Sequence, residues 1–231
     1  MQKAKIIKIL IALFYALLLF IFLYLFFSHF TFEEISTYKF IKSNVEHLDY
    51  IKEFNILLLS IGFVIFTIVW VFLLGFGSPI LLIAGFVFGK WLGVLLAVSS
   101  MTIGATLLYV FANYFFKETI KEKFLNKYID LENKFKKNEF VFFLIYRFVG
   151  GIPFQIANIL PLLFDIRIKN YFFGSLIGLI PQAFVATSLG SGIEQVIKNN
   201  DTLPSILDLI FSSEIYLPIL GFIFLVLIAL I

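Results

Sequence analysis

Cysteine is absent from this chain of 231 residues, and charged residues make up only 14% of it. The absence of cysteine excludes disulfide bonds, thiol catalysis and thiolate metal sites. The two histidines, His29 and His47, have no second ligand at metal spacing, so no metal site is predicted. The chain also lacks a phosphate-binding glycine loop, an HExxH motif and a nucleophile–base pair. We therefore expect neither an enzyme nor a bound cofactor.

Apolar residues dominate the chain instead. They make up 61% of it and include 32 phenylalanines. A soluble domain contains about 45–50% apolar and about 25% charged residues. The composition therefore predicts an all-α integral membrane protein. The net charge of +3 gives no indication of a nucleic-acid partner, and none is expected. In a membrane protein the positions of basic residues indicate the orientation of the chain in the membrane and its contacts with anionic headgroups.

Three regions are predicted along the chain. Residues 1–54 form an N-terminal transmembrane anchor and a polar connector, because the apolar run from Ile9 to Phe27 is long enough to span and has no cleavage site. Residues 55–192 form a membrane domain. Residues 193–231 form a second connector and a C-terminal transmembrane helix.

Glycine and proline interrupt the membrane domain at two places. The first break contains Gly77 and Pro79, and the apolar stretch that follows is too short to cross a bilayer, which needs about 20 residues. The second break is formed by Gly150, Gly151 and Pro153. Each break resembles the other in being followed by a glycine-bearing span. Interrupted segments in two halves predict transmembrane helices packed around two opposed re-entrant helical hairpins, an inverted repeat.

Arg147 is the only charged residue in the apolar run from Phe140 to Phe164. A guanidinium inside a bilayer costs about 3 kcal/mol on insertion scales, so such residues usually line a pathway or a cavity. A planar guanidinium binds phosphate bidentately. We therefore predict a substrate-binding site of Arg147, Asn158 and Gln155. The alternative is a structural tie that holds the hairpin, in which Arg147 pairs with a flanking acid, Glu139 or Asp165, or with a helix C-terminus.

Small residues and one proline are predicted to permit close helix packing in the membrane domain. They are Gly85, Gly89, Gly93, Gly104, Gly174, Gly178 and Pro181. Ser175 lies among them without a histidine nearby, so a packing role is predicted for it as well.

The order of these residues resembles a known family over residues 75–192. The second half carries Arg147, Pro153-Phe154, Asn158, Gly174-Ser175, Gly178 and Pro181, and the first half carries Gly85, Phe88-Gly89, Gly93 and Gly104-Ala105. This pattern is similar to the VTT domain of the DedA-like superfamily, also called SNARE-associated Golgi proteins, and to its yeast-Golgi-type branch found in bacteria.

The resemblance implies two opposed re-entrant hairpins, lipid translocation and a bacterial plasma (inner) membrane location. Eukaryotic relatives scramble phospholipids, and bacterial relatives are linked to recycling of undecaprenyl phosphate. The chain departs from the family pattern at Leu162 and Asn113, and its first hairpin lacks the acidic residue of many members. The missing acid weakens a proton-coupled mechanism, which needs a titratable group in the membrane.

The sequence thus predicts movement of phospholipid or polyprenyl phosphate between leaflets through a polar cleft that contains Arg147. Membrane lipids with an anionic headgroup are the expected partners, and a homo-oligomer is possible. Two alternatives stay open: a proton- or ion-coupled transporter of small solutes, for which Asp165 is the candidate acid, and a non-transporting membrane scaffold. The lipid, the direction, the energy source and the orientation of the termini are left open.

Overall fold

The computed structural model of the protein describes residues 10, 13–18, 20–21, 24, 38–73, 75–124, 138–150, 152–199 and 211–230. The chain divides into two compact units, Met1–Glu46 and His47–Ile231. In the first unit the described residues before 25 are helical. Nine of the 19 residues of the predicted anchor Ile9–Phe27, and Gly151 of the second predicted break, lie outside the described residues.

Seven α-helices and one 3-10 segment are described from residue 38 onward. In chain order they are α1 (Tyr38–Phe72), α2 (Gly77–Phe124), α3 (Glu139–Val149), α4 (Phe154–Ile159), the 3-10 segment Leu160–Phe164, α5 (Ile168–Gly178), α6 (Ile180–Asn199) and α7 (Ser213–Leu230). Every regular element in the described part of the chain is therefore helical.

Helix α1 changes direction at Asn55, whose backbone is not helical (φ −159°, ψ 71°). The Asn55 side-chain oxygen accepts a hydrogen bond from the Leu58 amide at 3.0 Å, as an N-cap residue does. The apolar part, Asn55–Phe72, is long enough to cross a membrane and starts at this cap. After it, the Trp70 indole donates to the Phe76 carbonyl at 2.9 Å and closes the connection to α2.

Helix α2 folds back on itself at Gly89, which has a positive φ of 73°. A Cβ atom on Gly93 would lie 2.7 Å from the Ala84 carbonyl oxygen, and one on Gly77 would lie 3.1 Å from the Met101 side chain. Residues 77 and 101 would be about 36 Å apart in a straight helix at 1.5 Å per residue. Residues 77–88 and 90–124 therefore form two antiparallel arms of a helical hairpin.

Two sequence predictions about this region are corrected. Gly89 was expected to pack against a helix, but no atom lies within 4 Å of its Cβ position, and its role is the left-handed turn. Gly77 and Pro79 were expected in the break, but they occupy the first turn of α2. Proline is tolerated there because the first amides of a helix have no intrahelical partner.

The second half repeats this order of elements. Helix α3 ends at Gly150, which has a φ of 66°, and Pro153 is the N-cap of α4. The short helical stretch 154–164 then ends at Asp165, which has a φ of 52°. The Tyr146 hydroxyl donates to the Ala157 carbonyl at 3.2 Å across the break. Each half thus consists of a helix, a break, a short helical stretch, a positive-φ residue and a further helix.

Matching glycines pack in the two halves. Gly104 lies against Ile68 and Val71 of α1, and Gly178 lies against Leu144 and Arg147 of α3. Each glycine therefore allows the last helix of its half to touch the first, because a Cβ atom would collide there. Arg147 and Val71 occupy corresponding positions in these two contacts.

The outer surface of the described chain is strongly apolar. Large apolar side chains such as Trp91, Leu57 and Leu95 are about two-thirds exposed or more (71%, 69% and 66%). Two helices, Asn55–Phe72 and Gly77–Glu118, are long and apolar enough to cross a membrane, and α5 and α6 make a third if this pair, bent by 41°, is one span. Because α2 folds back at Gly89, its crossing part is the arm after that residue. The protein is an all-helical integral membrane protein.

Helices α2 and α6 pack closely through glycine. A Cβ atom on Gly85 would overlap the Thr187 backbone, and one on Gly190 would overlap the Leu82 carbonyl.

We predict that Gly85→Ala lowers the stability of the protein by about 1–3 kcal/mol, because a helix backbone cannot move aside as a flexible side chain can. Gly62→Ala is the matched control, since nothing lies within 4 Å of that Cβ position. Midpoints of thermal unfolding in detergent test the prediction, and equal midpoints for the two variants would contradict it.

Candidate anion site around Arg147

Arg147 is buried in the last turn of α3, one turn before the second break, with 2% of its surface exposed. Its Nε donates a hydrogen bond to Ser175 Oγ at 3.0 Å, and its Nη2 donates to the Tyr171 hydroxyl at 2.7 Å. The Tyr171 hydroxyl in turn donates to the Asn158 carbonyl at 3.1 Å. The guanidinium is therefore held by neutral oxygen atoms of α5.

Two aromatic rings, stacked on each other with their centres 5.0 Å apart, lie on one side of the guanidinium. Its central carbon lies 5.2 Å from the centre of the Phe143 ring and 5.1 Å from that of Tyr171. A desolvated cation–π contact of this kind contributes about 2 kcal/mol. Tyr109 of α2 stacks on Tyr171 at 4.3 Å and donates its hydroxyl hydrogen to the Ile166 carbonyl at 2.6 Å. The ring that contacts Arg147 is thus fixed by a second ring.

The acids that flank the apolar run pair elsewhere. Glu139 accepts hydrogen bonds from the Arg167 amide and side chain at 2.6 and 3.1 Å and from Asn170 at 2.9 Å. Asp165 forms an ion pair with Lys117 at 2.7 Å. Within the described part of the chain, Arg147 has no carboxylate partner. The alternative in which Arg147 is a salt-bridged tie to one of these acids is therefore wrong.

Two buried polar atoms at this site have no hydrogen-bond partner among the described residues. They are Arg147 Nη1 and Asn158 Oδ1. Each terminal nitrogen of a guanidinium carries two N–H donors. Buried donors without partners cost about 1–3 kcal/mol, and more when the group is charged. The site therefore has hydrogen-bonding groups that the described protein does not use. The positive charge of the guanidinium favours an anion at Arg147.

A cavity of about 210 Å³ adjoins Arg147 at the second break. Its lining includes Ser78 and Met101 of α2, Gly150 and Phe154 at the break, and Gln182 of α6. Residues from both halves of the repeat therefore meet around Arg147. The arrangement can bind an anionic oxygen group through the guanidinium while apolar residues surround the rest of the ligand.

The predicted site residues differ in their placement. Arg147 lines the cavity. Asn158 is buried outside the lining, and its backbone carbonyl is linked to Arg147 through the Tyr171 hydroxyl, so contact of its side chain with a substrate stays a prediction. Gln155 is half-buried and does not belong to the lining, so its contact with a substrate stays a prediction. Gln182 lines the cavity instead and donates to the Arg147 carbonyl.

Several residues at the site had no predicted binding role. Ser175, expected only to pack, accepts a hydrogen bond from Arg147, and so does Tyr171, for which no role was predicted. Tyr171 and Ser175 are four residues apart and so share one face of a helix. A polar pair at this spacing in an apolar helix was the available signal. The pairing with Arg147 depends on Gly174 and Gly178, which lie directly against Phe143 and Arg147 and let α5 approach α3.

The folded chain is thus a helical membrane protein with a buried basic site, and comparison with known proteins identifies its family. The VTT domain matches residues 74–192, more than half of the chain. The chain therefore belongs to the VTT domain family, as the sequence resemblance predicted.

Individual relatives come from bacteria and eukaryotes. The chain is 33% identical over 119 residues to "Uncharacterized protein YqeD" of Bacillus subtilis, covering 49% of this chain and 57% of that protein. It is 24% identical over 136 residues to "Transmembrane protein 41 homolog" of Caenorhabditis elegans, covering 56% of this chain and 55% of that protein. It is also 24% identical over 143 residues to the protein of the same description in Dictyostelium discoideum, covering 59% and 43%. The chain thus spans about half the length of these relatives, and no solved structure matches it.

We predict that Tyr171→Phe destabilises the protein by about 1–3 kcal/mol, because it removes the acceptor of a buried cation and leaves a donor unpaired. The same change in an Arg147→Met background is expected to cost less, since no charge then needs the hydroxyl. Tyr216→Phe, at a position 39% exposed on α7, is the control. Free energies of unfolding in mixed micelles give the cost of Tyr171→Phe in the wild type, its cost in the Arg147→Met background, and the cost of Tyr216→Phe. A cost of Tyr171→Phe that is the same in both backgrounds would show that the hydroxyl does not serve Arg147.

Proposed function

We propose that the protein moves lipids with a phosphate headgroup, either phospholipid or polyprenyl phosphate, between the two leaflets of its membrane. The observation that supports this most strongly is a buried guanidinium that lacks a carboxylate partner in the described chain and lines a cavity. A phosphate matches the unused donors in charge and in geometry. The lipid tails would stay in the bilayer while the headgroup passes the cavity.

The proposed path lies between two re-entrant hairpins arranged as an inverted repeat. The repeated order of elements in α1–α2 and in α3–α6, and the matching contacts of Gly104 and Gly178, support this architecture. Inverted repeats of membrane transporters place their substrate sites near the bilayer midplane, at the interface of the repeats. The Arg147 cavity is lined by residues of both halves and occupies such a position in the repeat.

The energetic role of Arg147 in this proposal is to lower the cost of carrying a phosphate through apolar surroundings. A charge in hydrocarbon is expensive because nothing there replaces its hydration. The guanidinium supplies the opposite charge and N–H donors in advance, and neutral partners hold it in place. No carboxylate of the described residues has to be displaced when the phosphate arrives.

The relatives support a membrane protein but do not specify its function. The names of the relatives, a transmembrane protein and an uncharacterized protein, state no substrate. The bacterial relative supports a location in a bacterial plasma membrane. The lipid substrate, the location and any homo-oligomer are therefore part of the proposal.

Coupling to a proton gradient has less support. The described lining of the cavity contains no carboxylate, and Asp165, the candidate acid, pairs with Lys117. A non-transporting scaffold leaves the unpaired donors of Arg147 without a purpose. Leaflet exchange without coupling therefore fits the described site better than either alternative.

We predict that the reconstituted protein exchanges a fluorescent phospholipid or a labelled polyprenyl phosphate between leaflets. Arg147→Lys is expected to reduce the rate about tenfold, which corresponds to about 1.4 kcal/mol, because an ammonium keeps the charge but loses the planar fork of donors. Chemical reduction of the outer-leaflet label by dithionite measures exchange of the phospholipid. Wild-type protein that exchanges neither lipid faster than empty vesicles would refute the proposal.

Arg167→Gln is the matched control for this experiment. Arg167 is the other arginine of the chain, and its side chain is exposed and paired with Glu139. Full exchange activity of this variant, with loss in Arg147→Lys, would assign the effect to the buried cation. Size-exclusion profiles of all variants show whether each one is folded.

We also predict that Asp165→Asn leaves the exchange rate unchanged and that a pH gradient across the vesicle does not alter it. The reason is that the carboxylate belongs to an ion pair at a turn and not to the cavity. Exchange that depends on the gradient, and loses this dependence in Asp165→Asn, would favour the proton-coupled alternative.

A further inference from the structure

A second and larger cavity lies between α6, α7 and the turn of α2. Its volume is about 870 Å³, within the range of roughly 300–1,000 Å³ that is usual for ligand sites. None of its lining residues belongs to the Arg147 cavity. The two cavities lie on different faces of the start of α6, with Gln182 and Ala183 on one and Pro181 and Phe184 on the other.

Polar groups of the second cavity include a cation and a buried hydroxyl that is not hydrogen-bonded. Lys90 lines the cavity and has no carboxylate partner among the described side chains. Ser188 Oγ also belongs to the lining, is 97% buried by residue (3% exposed), and finds no hydrogen-bond partner in the described structure. A buried hydroxyl without a partner is costly, so this atom points to a polar ligand. Ser191 and Gln195 lie further along the same helix.

The rest of the lining is apolar. Along α6 it changes from Ile180 and Phe184 at the start of the helix to Ser188 and Gln195 nearer its end. Helix α7 adds apolar side chains that include Leu217 and Phe224. A ligand that fits this lining has a negatively charged polar part and a long apolar part.

The turn of α2 gives the depth of the cavity mouth in the membrane. Trp91 follows Lys90, is 71% exposed and contacts Phe184 with ring centres 5.2 Å apart and ring planes inclined by 51°. Tryptophan and lysine concentrate at the headgroup level of a bilayer. The cation of the cavity therefore lies where phosphates of the surrounding lipids are.

We propose that this cavity binds one anionic phospholipid of the surrounding membrane, with its headgroup at Lys90 and Ser188 and an acyl chain along α7. Charge complementarity and the graded lining favour a lipid over a second copy of the chain, because one lipid supplies both an anionic headgroup for Lys90 and an acyl chain for the apolar lining. This site is separate from the Arg147 cavity, and the proposal stands whether or not the protein translocates lipid.

The test uses phosphatidylglycerol with a photoreactive diazirine in one acyl chain, in vesicles of phosphatidylcholine. Illumination of the full-length protein is expected to label peptides of α6 and α7, and a phosphatidylcholine probe is expected to label them less. Gly221→Trp should reduce the labelling about tenfold, because Gly221 lines the cavity and has open space within 4 Å of its Cβ position. Gly62→Trp is the matched control, since its Cβ position is equally open but lies in a different groove.

Lys90→Gln tests the charge without filling the cavity. It is expected to abolish the preference for phosphatidylglycerol over phosphatidylcholine, whereas Lys169→Gln, at an exposed position outside the cavity, should retain it. Equal labelling by the two probes in the wild type, or unchanged labelling in Gly221→Trp, would overturn the proposal. So would illumination that only cross-links two copies of the chain. Arg147→Lys should leave the labelling intact even if it stops exchange, so failure of this proposal and of the proposed function can be told apart.

Discussion

The structure depends on one constraint: the guanidinium of Arg147 is buried with neutral partners only, as far as the described chain shows. Hydrogen bonds to a charged group contribute about 1.5–3 kcal/mol each, and the two rings add about 2 kcal/mol. These contacts hold the side chain in place but do not neutralise its charge. In surroundings of low polarity the remaining field acts strongly on anything in the adjoining cavity. The break of the helix, the glycines of α5 and the stacked tyrosines all serve to place this charge.

Neutral partners have a consequence that a salt bridge would not have. A carboxylate at Arg147 would occupy the donors that a phosphate needs, and separating a buried pair costs about 3–5 kcal/mol. Glu139 and Asp165 are close in sequence, yet each is engaged at a polar turn by another base. These peripheral ion pairs fix the ends of α3 and α5. The interior cation is thereby left without a carboxylate partner in the described chain, which supports the proposed anionic ligand.

The sequence predicted the helical membrane class, the family and the location of the second break, because these follow from composition and from glycine and proline. It could not show that Tyr171 and Ser175 reach Arg147, since this requires α3 and α5 to lie side by side. In apolar helices nearly every face is hydrophobic, so periodicity does not reveal which faces meet. The role of Gly89 was misjudged for a related reason. A glycine in an apolar run is compatible with close packing and with a left-handed turn, and only the backbone angle distinguishes them.

The two cavities use different cations, and chemistry explains the difference. Arginine keeps its charge when it is buried and has a rigid fork of donors, so it suits the enclosed site where water is scarce. Lysine is strongly hydrated and flexible, and Lys90 is exposed beside Trp91. Exchanging the two residues would bury a group that is more easily deprotonated and would place a planar fork where no fixed partner orients it. The choice of cation thus follows from burial, and burial in turn is set by the two breaks that fold each half of the chain back on itself.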